Sequence, residues 1–168
     1  IPHIVTRLDK NTTGLVLITK HRHIHALFDK IDINKFYLAL AKGKVADQVI
    51  EANIKREVDS IITRCVSEDG DYAKTQIWLE KYDEKNDVSL VKLKLFTGRT
   101  HQIRVHMSHL DHPLLGDELY GGNKDLIERQ ALHCYNLQFK HPITQNEISL
   151  EVPLAEDIRI IIDSIGIY

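Results

Sequence analysis

The 168 residues of the chain are enough for one domain with a hydrophobic core that needs neither disulfides nor a metal ion. The 43% hydrophobic and 27% charged fractions are ordinary for a soluble globular protein, and no apolar segment approaches the length that spans a membrane. The formal net charge of −2 excludes a general polycation. Two cysteines exclude a framework of disulfides, which favours a reducing compartment, so we expect a cytoplasmic protein.

The positive charge is concentrated at the start of the chain. Residues 1–44 contain eight Lys or Arg and three Asp, which is a local formal charge of +5. This asymmetry indicates a localised anion-binding face, although an accidental solvated surface explains the charge alone equally well. The chain also begins at Ile1 without a methionine, so we expect a fragment of a longer protein.

A single carboxylate, Asp9, stands between Arg7 and Lys10 in the first motif of the chain. The next residues, Asn-Thr-Thr-Gly at 11–14, are turn formers, and the apolar run 15–18 predicts a buried strand. Asp9 is therefore expected on a loop that enters a core strand, where a rigid scaffold can present a reactive side chain. A salt-bridged loop aspartate is the simpler alternative.

The next segments change from a helical to a strand pattern. The i, i+3, i+4 spacing of Ile24, Leu27 and Phe28 predicts a short helix that packs by one face. Alternation over 35–41 predicts a strand. Segment 45–71 has little regular pattern.

The second half of the chain predicts hairpins and a terminal helix. Alternating apolar residues predict an antiparallel hairpin of 73–82 with 88–95, and further short strands near 132–139 and 147–152. An amphipathic helix is expected over 154–165. Together these elements predict an α+β fold, in which a mixed, mostly antiparallel sheet is flanked by helices in a single domain.

The segment that follows Gly98 combines a turn, a helix and several cations. Residues 101–110 have apolar side chains at helical spacing, and an ordered loop is expected over 113–123. Arg99 and Arg104 flank the start of this helix, where free backbone N–H groups also attract anions. The alternative is a helix that merely carries surface charges.

Three motifs occur in order along the chain. The first is Arg-Leu-Asp-x-x-Thr-Thr-Gly-Leu at 7–15, and the second is Lys-x-Tyr-x-Ala at 35–39. The third is Gly-Arg-Thr-His-Gln-Ile-Arg-Val-His at 98–106, followed by His-Pro-Leu-Leu-Gly-Asp-x-x-Tyr-Gly at 112–121. They resemble, in the same order, the Arg-Leu-Asp-x-x-Thr-Ser-Gly signature, the tyrosine-bearing strand and the long third motif of the RluA-type pseudouridine synthase family.

Some features of that family are altered or missing. Thr6 and Thr13 stand where the family usually has His and Ser, and both changes are mild. The family's first motif, a strand and loop with Lys-Pro, is absent from this chain, as is the small basic RNA-binding domain that many members carry. The resemblance therefore implies a pseudouridine synthase catalytic domain over residues 1–168 that is incomplete at its N-terminus.

The resemblance implies isomerisation of specific uridines to pseudouridine in structured RNA, most readily large-subunit ribosomal RNA and next transfer RNA. No redox change occurs and no atom is added, so no cofactor or metal ion is expected. Asp9 would act as nucleophile or stabilise cationic sugar character, and Arg104 would keep it ionised through a bidentate ion pair. Tyr37 would stack on the flipped uracil and help to remove the proton from carbon 5. The family also suggests a monomer.

The other expected site residues contact RNA. Arg7 matches the family residue that enters the space left by the flipped base, where a planar guanidinium can stack. The remaining candidates share a polar or basic side chain in or near the motifs: Lys10, Thr12, Lys20, Arg22, Lys35, Arg99, His101, Gln102 and His106.

Two other functions stay open on the sequence. A protein of the same fold could bind RNA without catalysis, although the presence of Asp9, Tyr37 and Arg104 argues against this. A metal-dependent phosphodiesterase would need histidine ligands, but the alternate histidines of 21–25 would point apart on a helix and no cysteine pair stands nearby.

Overall fold

The computed structural model describes residues 1–167. Its strands are β1 (His3–Ile4), β2 (Thr13–Gly14), β3 (Ile18–Thr19), β4 (Asn34–Lys42), β5 (Gln48–Glu51), β6 (Ile54–Arg56), β7 (Arg64–Val66), β8 (Lys74–Asp83), β9 (Val88–Leu95), β10 (Leu132–Lys140) and β11 (Glu147–Glu151). Its helices are α1 (Arg22–Phe28), α2 (Gln102–His109) and α3 (Glu156–Ile165), with a 3-10 turn at Glu118–Tyr120. No helix of the described chain is both long and apolar enough to cross a membrane.

One sheet organises the molecule. Its strand order is β11-β10-β4-β9-β8-β5, each neighbouring pair on this path is antiparallel, and β2 joins β10 in parallel. Strands β8 and β9 form the hairpin predicted from their alternating apolar residues. The helices α2 and α3 both pack against this sheet. The predicted α+β class, with a mixed and mostly antiparallel sheet, is therefore confirmed.

Strand β4 separates two apolar cores because its side chains alternate between the faces of the sheet. Tyr37 and Ala39 lie on one face and pack in a core that includes Ile103 of α2. Leu40 lies on the other face and packs in a core that includes Ile158 of α3. The helix of the third motif and the C-terminal helix consequently cover opposite faces of the sheet.

Most elements expected from periodicity are present, with ends that differ by one or two residues. The helix expected around Phe28 is α1, the strand over 35–41 is β4, and the helix over 101–110 is α2. The later strands and the terminal helix are β10, β11 and α3. The segment with little pattern, 45–71, contains the short strands β5, β6 and β7.

The prediction of one buried strand over 15–18 is wrong, because only Ile18 of this run lies in a strand, β3, and its side chain is exposed. Val16 and Ile18 are 41% and 52% exposed, whereas the chain pairs with β10 only at β2 and then leaves it. Gly14 explains the early departure, because it has a φ of +116° and lies directly against the backbone of Cys134. An apolar run therefore follows the motif, but only alternate side chains of it reach the core.

Gly14→Ala tests whether this close approach anchors the first motif. A Cβ atom there would lie 2.2 Å from the carbonyl oxygen of Cys134. Because the substitution adds both overpacking and backbone strain, we expect the unfolding free energy to fall by several kcal/mol. The measurement is urea unfolding.

Gly121→Ala is the matched control, because Gly121 has a φ of +90° and open space where a side chain would begin. This variant has the strain of a side chain at positive φ but no contact with a neighbouring backbone, so we expect its unfolding free energy to fall by roughly 1–2 kcal/mol. Equal costs for the two variants would contradict the anchoring role of Gly14.

Candidate active site

A cleft of about 460 Å³ opens beside the first motif. Its walls come from the loop that carries Asp9, from β4 and from the turn that precedes α2. The predicted site residues that line it are Arg7, Asp9, Thr12, Lys35, Tyr37, Arg99 and Gln102. Segments that are far apart in sequence therefore meet in one cavity.

The carboxylate of Asp9 lies beside the guanidinium of Arg104. Oδ2 of Asp9 is 3.9 Å from Nη1 of Arg104, and the two side chains are 25% and 8% exposed. Arg104 lies on α2, so the helix brings a buried cation to the inner side of a carboxylate that lines the cleft. The predicted proximity of these two residues is confirmed.

The predicted bidentate pair between Asp9 and Arg104 is wrong, because the partner of the fork is Asp117. Nε and Nη2 of Arg104 donate to the two carboxylate oxygens of Asp117, both at 2.7 Å. The Asp117 side chain is only 1% exposed. One edge of the guanidinium is thus fully used, and the contact with Asp9 is a charge interaction longer than a hydrogen bond.

Asp117 also stabilises the charge of Arg104. Burial by itself lowers the pKa of a guanidinium, but the hydrogen bonds and charge of Asp117, with a contribution from Asp9, raise the pKa of Arg104 above its ordinary value. The cation is therefore kept in an interior site by a second acid and does not depend on Asp9 for its compensation.

Tyr120 covers one face of the same guanidinium. Cζ of Arg104 lies 4.8 Å from the centre of the Tyr120 ring, within the range of a cation–π contact. The Tyr120 hydroxyl accepts a hydrogen bond from the backbone N–H of Arg64 and lies 2.8 Å from Nδ1 of His101. Asp117 and Tyr120 both match the third motif, but no spacing argument assigned either of them a role, since their partner lies on a different segment.

His101 belongs to this network and stands in the chain between Thr100 and Gln102, which both line the cleft. Its backbone adopts the left-handed conformation, with a φ of 58°, which is uncommon for a residue other than glycine. Burial lowers its pKa, and the charges of Arg104 and Arg64 lower it further against the opposite effect of Asp9 and Asp117. The ring is therefore neutral at physiological pH. Its contact with RNA stays a prediction.

Tyr37 is almost completely buried where it lines the cleft. Burial raises the pKa of its phenol far above the ordinary range, and the neighbouring Cys134 thiol and Asp9 carboxylate raise it further. The phenol therefore keeps its proton near neutral pH. This protonation disfavours Tyr37 as the base that takes the carbon-5 proton, whereas the ring is well placed to pack against a flat ligand.

Lys35 is a cation inside the cleft. It is half-buried, and burial lowers the pKa of its ammonium group. Within the described chain it forms no ion pair with a carboxylate. An incompletely solvated cation without an acidic partner is suited to an anionic ligand.

Gln102 and His106 are not available to RNA, which corrects two of the predicted contacts. The Gln102 amide donates to the Lys74 carbonyl oxygen and the Thr75 hydroxyl. Its oxygen accepts from the Thr97 hydroxyl and the backbone N–H of Arg99.

His106 is fully buried, with one ring nitrogen beside the Thr75 hydroxyl and the other beside the Ala52 carbonyl oxygen. Both side chains connect α2 to neighbouring strands. Helical spacing alone could not distinguish this inward face from an RNA-facing one.

Five predicted RNA contacts are not among the residues that line the cleft: Lys10, Lys20, Arg22, His101 and His106. Lys10, Lys20 and Arg22 are exposed, and their contact with RNA stays a prediction. The histidines of the chain do not converge either. No three His, Cys, Asp or Glu side chains of residues 1–167 are grouped so that they could hold a metal ion.

Comparison with known proteins identifies similar chains. A family model described as RNA pseudouridylate synthase matches residues 1–109. The chain is 45% identical over 161 residues to "Uncharacterized RNA pseudouridine synthase YjbO" of Bacillus subtilis (strain 168), covering 92% of this chain and 56% of that protein. It is 38% identical over 174 residues to "Ribosomal large subunit pseudouridine synthase D" of Vibrio vulnificus (strain CMCP6), covering 92% and 53%. The chain spans about half the length of these relatives.

A solved structure shares the fold. The chain superposes on "Human RNA Pseudouridylate Synthase Domain Containing 1" with a TM-score of 0.78 and 24% sequence identity. The match covers 99% of this chain and 81% of that one. At this identity the likeness supports the fold.

Asp117→Asn tests whether Asp117 compensates the buried charge of Arg104. The amide keeps the shape but loses the charge and one acceptor, so we expect unfolding free energy to fall by about 3 kcal/mol, as for a buried ion pair that loses one partner. Urea unfolding measures the change.

Glu118→Gln is the matched control in the same loop, since Glu118 forms an exposed ion pair with Lys124. We expect almost no change in its unfolding midpoint, because exposed pairs contribute little. A loss in Asp117→Asn as small as that in Glu118→Gln would show that Arg104 does not depend on Asp117.

Proposed function

The chain belongs to the RNA pseudouridylate synthase family, and we propose that it catalyses the isomerisation of uridine to pseudouridine in structured RNA. The matched residues 1–109 include Asp9, Tyr37 and Arg104. The observation that carries the proposal is the Asp9 carboxylate, which lines a cleft with a buried arginine 3.9 Å away.

The reaction exchanges one bond to the ribose for another. The bond between N1 of uracil and C1′ breaks, the base rotates, and a bond between C5 and C1′ forms. The proton on C5 leaves and N1 is protonated, so atoms and electrons balance without an oxidant or a reductant. The site therefore has to stabilise positive charge at the sugar, hold a detached uracil and move one proton.

Asp9 is suited to the charge at the sugar. As an ionised carboxylate it can attack C1′ or stabilise cationic character there. The shortest distance between the guanidinium of Arg104 and the carboxylate of Asp9 is 3.9 Å, which is too long for a hydrogen bond, so the carboxylate keeps lone pairs for the substrate.

Tyr37 is suited to hold the detached base. A ring that stacks on a base contributes ~1–3 kcal/mol and needs no particular hydrogen bond, so uracil can rotate against it. Because its phenol stays protonated, we assign Tyr37 to packing and not to proton removal. The C5 proton is then left to a carboxylate or to water within the cleft.

The cations around the cleft are suited to the RNA backbone. Arg7, Lys35 and Arg99 line it together with a single carboxylate, Asp9, among the described lining residues. A base must leave its stack to reach Asp9, at a cost of a few kcal/mol. Arg7 is exposed at the rim, where its planar guanidinium can stack in the space that the base leaves.

Large-subunit ribosomal RNA is the substrate class that we propose first, and transfer RNA second. A relative with 38% identity is named a ribosomal large subunit pseudouridine synthase, which supports this order. Selection of one uridine depends on loop shape and base exposure in the RNA.

Asp9→Asn tests the central role of the carboxylate. We expect turnover to be abolished, because an amide cannot act as a nucleophile or balance a cation, while RNA affinity stays within roughly threefold, about 0.6 kcal/mol. The measurement is tritium release from RNA labelled at C5 of uridine, with the full-length protein. If the unmodified protein released no more tritium than Asp9→Asn, the protein would bind RNA without catalysing the reaction.

Tyr37→Phe distinguishes packing from proton removal. The ring is kept and only the hydroxyl is lost, so we expect kcat to stay above about a tenth of the original value, whereas Tyr37→Ala should lose at least tenfold more from the missing stack. Single-turnover kinetics on the same RNA measure both. If Tyr37→Phe were as inactive as Tyr37→Ala, the hydroxyl of Tyr37 itself would be essential.

A further inference from the structure

The loop that carries Asp9 is also held by Arg129, a residue of a distant segment. Nη1 of Arg129 donates to the carbonyl oxygen of Asn11 at 3.1 Å, and Nη2 lies 3.4 Å from the hydroxyl of Thr13. The guanidinium is therefore in contact with the loop just after Asp9. Arg129 does not line the active-site cleft, and it lies beyond the residues that the family model matches.

Gln130 holds the alternate residues of the same loop. Its amide nitrogen donates to the carbonyl oxygen of Lys10 at 2.6 Å and to the hydroxyl of Thr12 at 3.0 Å. Each of the residues 10–13 consequently has one oxygen bound by a side chain of the 129–130 dipeptide.

The contacts of Arg129 fall at the point where the loop turns. Asn11 has a φ of 70°, a left-handed conformation that asparagine adopts more readily than most residues with a side chain. The carbonyl oxygen of Asn11 is the one that Arg129 binds. Within the loop, the N–H of Thr12 donates to the carbonyl oxygen of Asp9.

Arg129 is itself oriented by the C-terminal helix. Its Nε and Nη2 donate to the two carboxylate oxygens of Asp157, both at 2.7 Å, in the first turn of α3. Burial by itself would raise the pKa of Asp157, but the hydrogen bonds and charge of Arg129 lower it below its ordinary value. The helix is anchored by Ile158, Ile161 and Ile162 in the core on the far face of the sheet.

We propose that Arg129, oriented by Asp157 and assisted by Gln130, is a positioning residue that places the Asp9 carboxylate for the reaction. The proposal rests on the proposed function for its kinetic test. It makes α3 part of the catalytic unit, although the helix lies across the sheet from α2. A second, open cavity of about 570 Å³ adjoins Arg129 and Asp157, so small solutes can reach this position.

The first experiment compares Arg129→Lys and Arg129→Ala in the full-length protein. Lysine keeps the charge but cannot bind Asp157 with a planar fork and reach Asn11 at once. We expect kcat on the RNA to fall at least tenfold in both variants while KM stays within threefold. Arg159→Ala is the matched control, because Arg159 forms an exposed ion pair on the same helix, and it should leave kcat unchanged.

Guanidinium ions separate positioning from general stability. Added at tens of millimolar to Arg129→Ala, they should restore several-fold of the lost kcat by entering the open cavity, whereas ammonium ions should not. Unchanged kcat in the Arg129 variants would overturn the proposal. A lower kcat that guanidinium does not restore, or that matches a lower folded fraction in circular dichroism, would also overturn it.

Amide hydrogen exchange tests the loop without reference to activity. The Thr12 amide should exchange at least tenfold faster in Arg129→Lys than in Arg159→Ala, since its bond to Asp9 depends on the loop conformation. Equal exchange rates would overturn the proposal. Absence of pseudouridine formation by the unmodified protein would instead overturn the proposed function, and the exchange result would still decide the role of Arg129.

Discussion

The guanidinium of Arg104 is the group on which the rest of the site depends. Asp117 takes one edge of it through two hydrogen bonds, and Tyr120 covers a face. Nη1 makes the shortest approach to Asp9, at 3.9 Å. Had Asp9 supplied the fork itself, both of its oxygens would be occupied by the arginine. Because a second acid compensates the buried cation, Asp9 can be close to a positive charge and still present a reactive carboxylate to the cleft.

A second arginine, at the loop that carries Asp9, likewise binds an aspartate and another segment of the chain at once. Arg129 gives its fork to Asp157, and its Nη1 donates to the carbonyl oxygen of Asn11 in the loop as well as to the carbonyl oxygens of Gln130 and Leu132. In both cases the aspartate that takes the fork orients the guanidinium, and the guanidinium then acts on a third segment of the chain. A planar group with donors in fixed directions can connect three segments in this way, which a lysine could not.

Local pattern was sufficient for most of the scaffold. The alternation along β4 and the helical spacing of α2 arise from burial of one face, and burial of one face leaves a period in the sequence. The pattern failed at 15–18, where Gly14 lies against Cys134 and the chain leaves the sheet. The pattern also could not tell which polar residues of α2 face the protein and which could face RNA. A glutamine such as Gln102 is equally polar in either position, and here it binds a strand.

The sequence by itself predicted the class of fold and contained the three motifs, and their resemblance to a known family made Asp9, Tyr37 and Arg104 the predicted central residues. Only the tertiary structure decided which acid pairs with which arginine. A carboxylate and a guanidinium attract each other from any position in the chain, so their pairing depends on distances that the packed sheet creates. Asp117 lies within the third motif and Asp157 lies outside all three, but no neighbouring residue of either identifies its arginine. Their partners became evident only when α2, α3 and the loop that carries Asp9 were placed around β4 and β10.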